Sequence, residues 1–236
     1  MLEENPDIDV ICGNFNFVDY QSGEHFYDFL KTKCRLLWQL PLQKVAPGVF
    51  KLESPLFEVF LKDSFFSFPA AVIRHSVVGE ALLDERVFHY EDRDFAIQLA
   101  KKRKAVFAVS EIPVFKNYVH SGNMSKTFTP QQKIGKLKDR ILIHEKYLSW
   151  EDLSKKEYVL LQKSLSSQFR KLTSLYLEQN NIIPAWHSML KSLKYETSMD
   201  THKMGLKLML LTIFGFVFRW KRLLGKKRFK LTMGRF

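Results

Sequence analysis

Apolar positions change their period along the chain, and the changes mark out its elements. Residues 8–18, IDVICGNFNFV, begin as a continuous apolar run and then alternate around Asn14 and Asn16, which predicts a buried strand. Asn5-Pro6-Asp7 before it and Tyr20-Gln21-Ser22-Gly23 after it are turn signals. Residues 24–52 are broken by Pro41 and Pro47-Gly48 and predict a loop-rich excursion with one short helix. Ser54-Pro55 predicts a helix start, running to about Lys62. A strand is expected over 65–74, FFSFPAAVIR, with a short helix or turn over 75–83. From Asp92 to Lys104 the positions Phe95, Ala96, Leu99 and Ala100 fall on one helical face. Two short strands, Ala105–Val109 and Pro113–Tyr118, lead into a polar loop, HSGNMSKT. Strands alternating with helices predict an α/β layer.

From Pro130 the period becomes helical. Ile134, Leu137, Ile141 and Leu148 make one amphipathic face. Ser154 and Glu157 form a capping-box pattern that opens a helix to about Gln179, with Leu161, Leu165, Phe169, Leu172 and Tyr176 in register. A shorter helix from Pro184 is expected to turn Trp186, Leu190 and Leu193 inward. These stripes read as packing surface. Three regions follow: an α/β layer over 1–128, a helical extension over 129–198, and a tail over 199–236.

The tail changes the picture of charge. The chain carries a formal net charge of +12, yet Arg219 to Phe236 contain eight Lys or Arg and no acid, leaving about +4 for the rest. The uncharged run Leu208–Phe218 is eleven residues long, short of the roughly 20 needed to span a bilayer. Trp220 and the cations Arg219, Lys221, Arg222, Lys226, Lys227 and Arg228 follow it. An apolar stretch, an interfacial aromatic and a basic flank predict a helix lying on an anionic membrane surface. No nucleic-acid-binding motif accompanies the charge, so nucleic acid is not expected as a partner. Cys12 and Cys34 lack metal or disulfide spacing and read as reduced, buried thiols. The acidic N-terminus is unlike a signal peptide, and a cytoplasmic setting is expected.

Chemistry is narrowed first by what is missing: the chain has no GxGxxG, P-loop, GxSxG or HExxH pattern. Asp7-Ile8-Asp9 is a formal Asp-x-Asp, but it precedes a strand, whereas ligands collect beyond strand carboxyl ends, so no metal role is expected of it. His75, His89, His144, His187 and His202 belong to no constellation. The stretch HYEDRDFAIQLAKKRK, residues 89–104, is more informative. Acids at its start and Lys101, Lys102, Arg103 and Lys104 at its end suit the helix dipole. Its company needs another reason. PAAVIR ends in Arg74, GEALLDE carries Asp84 and Glu85, YEDRDFAIQLA follows, and a strand later comes NYVHSGNMS.

That order resembles the second half of family 2 glycosyltransferases, which adopt the GT-A fold, and ENPDIDVICGNF resembles the strand after that family's metal site. The resemblance covers about residues 1–128. It implies a partial GT-A (Rossmann-like) sheet layer followed by α-helices. It implies sugar transfer, inverting in mode, from a nucleotide-sugar donor to a saccharide or lipid-linked acceptor at the inner membrane face. By the family's motif Asp92 would be the catalytic base, with Glu91 beside it touching the acceptor hydroxyl and Asp94 only a helix-start acid. His120, Asn123 and Ser125 would lie near the donor diphosphate and metal, and Arg74 and Tyr90 on the acceptor side. The spacing Gly79-Glu-Ala-Leu-Leu-Asp84-Glu85 is looser than the family's G-x-F-D-E. The family's nucleotide-binding half, and the Asp-x-Asp that holds its Mg or Mn ion, would precede residue 1. The chain is then expected to be a fragment, inactive alone. The alternative is a non-catalytic membrane-associated adaptor or a degenerate relative.

Overall fold

The computed structural model describes residues 2–53, 55–79, 81, 83–120, 129–196, 202–206, 208–210 and 212. The protein is a mixed α/β chain. Its six strands are β1 (Val10–Asp19), β2 (His25–Asp28), β3 (Leu42–Ala46), β4 (Val49–Leu52), β5 (Ala71–Ile73) and β6 (Phe107–Val119). They form one mixed sheet in the order β2-β1-β6-β4-β3, with β5 also on β1. β1 and β6 run parallel, Val10 opposite Phe107 and Asp19 opposite Val119. β5 pairs antiparallel with the first residues of β1, and β2 with its last. The helices are α1 (Phe29–Lys33), α2 (Phe57–Lys62), α3 (His75–Val78), α4 (Glu91–Lys101), α5 (Pro130–Leu148), α6 (Lys155–Glu178) and α7 (Ile182–Tyr195).

Two compact units divide the chain, Met1–Leu161 and Gln162–Phe236, so the boundary falls inside α6 and α5 belongs with the sheet. In the first unit Val10, Cys12, Phe60, Phe65, Phe107, Ile97, Leu99, Ile143 and Tyr147 form one buried cluster. Both cysteines are buried and free. Burial pushes both thiols well above the ordinary range, so they act as small apolar side chains. In the second unit Ala185 and Met189 pack with Leu208, and Ser192 Oγ donates to the Ser166 carbonyl at 3.0 Å.

Several expectations are corrected by the structure. Residues 24–52 hold three strands and two short helical turns, because Pro47-Gly48 closes the β3–β4 hairpin with Gly48 at φ 69°. The expected strand over 65–74 shrinks to Ala71–Ile73, since Phe68–Ala70 form a 3-10 turn around Pro69. The two expected strands after residue 104 are one, β6, which passes through Pro113. Pro113 sits opposite Asn14, where the β1–β6 register shifts, and the irregularity accommodates its missing N–H. Buried Asn14 is satisfied there, donating to Asp28 at 2.6 Å and to the Glu111 carbonyl at 3.0 Å. On α7 Trp186 and Leu193 are partly buried against the core as expected, but Leu190 is 60% exposed, and the fully buried positions are Ala185, Ser188, Met189 and Ser192. These residues recur at helical spacing, and most are small enough for close packing.

The expected capping box of Ser154 with Glu157 forms at the start of α6, and a second one, Thr129 with Gln132, starts α5. No described helix is long and apolar enough to cross a membrane. The basic tail, with Arg219, Trp220, Lys221, Arg222, Lys226, Lys227 and Arg228, lies outside the described residues.

Candidate functional site at the start of helix α4

The site is built where the loop 84–90 enters α4 and both lie against α5. Tyr90 precedes the helix in the left-handed conformation, φ 70° and ψ 19°, and offers no side-chain cap. A bulky residue seldom takes that conformation, and surrounding contacts must hold it. The loop has two such anchors on α5. The His89 backbone N–H donates to Asp139 Oδ2 at 2.8 Å, and His89 Nδ1 meets the same oxygen at 2.8 Å. Asp84 lies 3.7 Å from Lys146 Nζ and is gripped by Arg86, whose Nε and Nη2 donate at 2.9 and 2.8 Å. The Arg86 bonds hold the Asp84 carboxyl well below the usual range.

At the other end α4 stops where Lys104 turns left-handed, φ 53°, and the Ala105 N–H reaches back to the Leu99 carbonyl at 3.0 Å. Lys101 there bonds Glu157 at 2.8 Å, and Lys102 bonds Asp152 at 2.9 Å. The cations that suit the dipole also tie α4 to the start of α6 and the loop before it.

The three acids of the first turn have different surroundings. Asp94 is 1% exposed. Tyr147 donates its hydroxyl to Oδ1 at 2.5 Å, Lys146 Nζ donates to Oδ2 at 2.6 Å, and Gln98 Nε2 to Oδ2 at 3.1 Å. Burial first, and then the Asp94 charge, raise the Tyr147 phenol, so it stays a donor. Far from being merely a helix-start acid, Asp94 is the buried pin between α4 and α5. Among the described residues no side-chain cation bonds to Asp92. The Arg93 backbone N–H donates to its Oδ1 at 2.6 Å. Burial raises its carboxyl above the ordinary value, the Glu91 charge adds to that, and the Arg93 amide and guanidinium oppose it. Glu91 is half-buried beside it.

Two cations of this region were not legible as site residues. The guanidinium of Arg93 lies over the Tyr90 ring at 5.1 Å from its centroid, and that of Arg140, from α5, at 5.6 Å. His144, one turn further on, is 2% exposed and is pushed down to about 3 by burial and by the charges of Arg140 and Arg93. Lys146 and Tyr147 were also missed. The only sequence signal for this set is polar Arg140, His144 and Lys146 crowding the apolar stripe of α5, which periodicity alone does not interpret.

Of the residues expected at a site, Tyr90, Glu91 and Asp92 are brought together. Arg74 is not with them. Its backbone N–H donates to the Asp9 carbonyl, and its side chain donates to the carbonyls of Leu2 at 2.8 Å and Ile8 at 3.1 Å. The guanidinium clasps the segment entering β1. His120 follows β6 and meets the Tyr20 ring edge-on at 5.8 Å, at the exit of β1. Asn123 and Ser125 lie outside the described residues. Asp7 pairs with Lys51, and Asp9 Oδ2 accepts from the Val106 N–H at 2.9 Å. No cluster of three metal-ligating side chains occurs among the described residues.

Compared with family models, with curated proteins and with solved structures, the chain matches none.

Proposed function

We propose that the chain is the acceptor-side half of a glycosyltransferase of the family 2, GT-A type, inverting in mode. The observation that carries the reading is the environment of Asp92. Of the acids gathered at the start of α4, Asp84 and Asp94 are held by cations or buried donors. Asp92 is left with a raised affinity for protons and, among the described residues, only a backbone N–H on its carboxylate. A general base must be aimed from a rigid element and hold a proton well enough to take one. Asp92 suits both needs: α4 is pinned by Asp94, and burial raises the Asp92 carboxyl above its ordinary value.

In this reading Asp92 takes the proton of the acceptor hydroxyl as its oxygen attacks the anomeric carbon of the donor sugar. Glu91 holds the hydroxyl in line, and Tyr90 forms the wall of the acceptor site. A divalent cation supplies charge stabilisation to the leaving diphosphate in enzymes of this type. The described residues do not assemble a donor set for it. The nucleotide sugar and its cation belong with the donor-binding half that the resemblance puts before residue 1. The basic composition of the tail supports a location on the inner membrane face, where lipid-linked or surface-polysaccharide acceptors would be met.

The test uses the chain joined to its donor-binding half and measures sugar transfer from a labelled nucleotide sugar. Asp92→Asn is expected to abolish transfer while donor binding stays within about twofold, because the proton acceptor is lost and the donor contacts are not. Substantial turnover by that variant sinks the assignment.

A further inference from the structure

We infer that Arg93 and Arg140, gathered at the ring of Tyr90 beside Asp92, form a site for an oxyanion, a carboxylate or phosphate carried by the acceptor. The inference rests on the transferase reading for the word acceptor, and on geometry alone for the oxyanion. Arg93 Nε and Nη1 and Arg140 Nε are buried with no hydrogen-bond partner. Buried donors in folded proteins are nearly all bonded, and an exception calls for a group that is absent. Here the exceptions belong to two neighbouring cations, which repel each other and are drawn to the same ring.

Among the described residues no carboxylate hydrogen-bonds to the unmet donors. Asp92 and Asp63 attract Arg93 from a distance without a hydrogen bond to it. The third side chain against the pair, His144, is neutral and buried. Among the described residues Arg140 makes one long bond, Nη2 to the Leu61 carbonyl at 3.4 Å. Guanidinium groups present planar donor forks that match the oxygens of a carboxylate or phosphate. An oxyanion between them would take the unmet donors and separate the two charges. Its position is what assigns it to the acceptor: Arg93 adjoins the proposed base in sequence, and the ring both cations touch is that of Tyr90, two residues before it. A sugar acid or a phosphorylated sugar held there would present its hydroxyl next to Asp92.

The first measurement is thermal unfolding of the 236-residue chain with inorganic phosphate, glucuronate or neutral glucose. Phosphate and glucuronate are expected to raise the Tm and glucose to leave it unchanged, since only a ligand of the folded state stabilises it. The rise should vanish in Arg93→Met and Arg140→Met. In buffer free of oxyanions, Arg93→Met should unfold no lower than wild type, because an unpaired buried cation has been replaced by an apolar chain of similar length. A structural arginine would give the opposite result, a lower Tm.

The inference is overturned by no response to either oxyanion, by a response that survives in both variants, or by a lowered Tm of Arg93→Met in anion-free buffer. The second measurement separates the sources of the oxyanion in the chain joined to its donor half. Arg140→Gln should raise the acceptor KM about tenfold or more while leaving the donor KM alone, the loss expected when a charged bond is removed. A rise confined to the donor KM would assign the oxyanion to the donor diphosphate and overturn the acceptor assignment. Oxyanion binding by a chain that never transfers sugar would retire the transferase reading and, with it, that assignment. Transfer to acceptors without any oxyanion response would retire only this inference.

Discussion

Amidation of two acids in one helical turn is expected to move stability in opposite directions. In Asp94→Asn the amide has one oxygen where the carboxylate had two. It cannot accept from both the Tyr147 hydroxyl and the Lys146 ammonium, and its NH2 must face a donor. Hydrogen bonds to charged groups contribute about 1.5–3 kcal/mol each. Loss of one, plus a donor facing a donor in a site 1% exposed, gives a loss of about 3 kcal/mol. Asp94→Ala strands both partners and should lose about 3–5 kcal/mol. Urea unfolding reads this directly in a Trp186→Phe, Trp220→Phe background, where emission comes from Trp38 and Trp150 and so from the first unit. Trp150 packs on Tyr147 with ring centroids 4.5 Å apart, which makes it a local reporter. With a slope of about 2 kcal/mol per molar, the Asp94→Asn midpoint should fall by about 1.5 M. Asp92→Asn, which breaks no side-chain bond, should not lower it. A loss below about 1 kcal/mol for Asp94→Asn would refute the pin, because that is less than one charged hydrogen bond. So would a larger loss for Asp92→Asn than for Asp94→Asn.

Three further outcomes follow from the same geometry. The Asp92 carboxyl is raised in the folded chain, so between its unfolded and folded values the native state binds more protons and its stability falls as pH rises. Asp92→Asn should therefore unfold above wild type at neutral pH, and the gap should close in acid when Tm is followed against pH. His144 shifts the other way: at about 3 folded against 6.5 unfolded, the unfolded chain takes the proton first as pH falls. About 3 kcal/mol should be lost between pH 6.5 and about pH 4, and denaturant titrations of His144→Leu should show that loss removed. A Cβ on Gly13 would come to 2.9 Å from the Ala70 carbonyl oxygen and 3.0 Å from Val114 Cγ2. Gly13→Ala is expected to lose about 1–3 kcal/mol in the same unfolding assay, as overpacked interior positions do; an unchanged midpoint would mean that β1 and β5 can move apart.

Much of the fold was legible because it is local. The capping box at Ser154, the apolar face of α4 and the first strand are set by residues within one or two turns of each other. What was misread depends on partners far away in sequence. Pro113 looked like a strand boundary because nothing near it shows that β1 is irregular opposite Asn14. Pro47-Gly48 signalled a break without showing that short strands pair across it, since β3 and β4 gain their place from β6. The same limit governs the site. Asp94 meets Lys146 and Tyr147 across more than fifty positions, and Arg93 meets Arg140 only because Asp139, Asp84 and Asp94 bring α5 against the loop.

The helix dipole cannot choose among Glu91, Asp92 and Asp94, since it favours any acid in the first turn about equally. Packing makes the choice. Successive residues of an α-helix are about 100° apart, so side chains two positions apart point to nearly opposite sides. Once Asp94 faces α5 and is fixed by Lys146 and Tyr147, Asp92 is turned away from those donors. Arg93, between them, is carried toward Tyr90 and Arg140. A single contact, Asp94 to α5, thus sets three directions: a buried pin and, among the described residues, an acid bonded to no cation and a cation bonded to no anion. If that contact is the determinant, Asp94→Ala should remove both the oxyanion response and the sugar transfer proposed for the chain joined to its donor half, although Asp94 is assigned to neither proposed site. Loss of only one of them, in protein that is still folded, would show that the two sites are positioned independently.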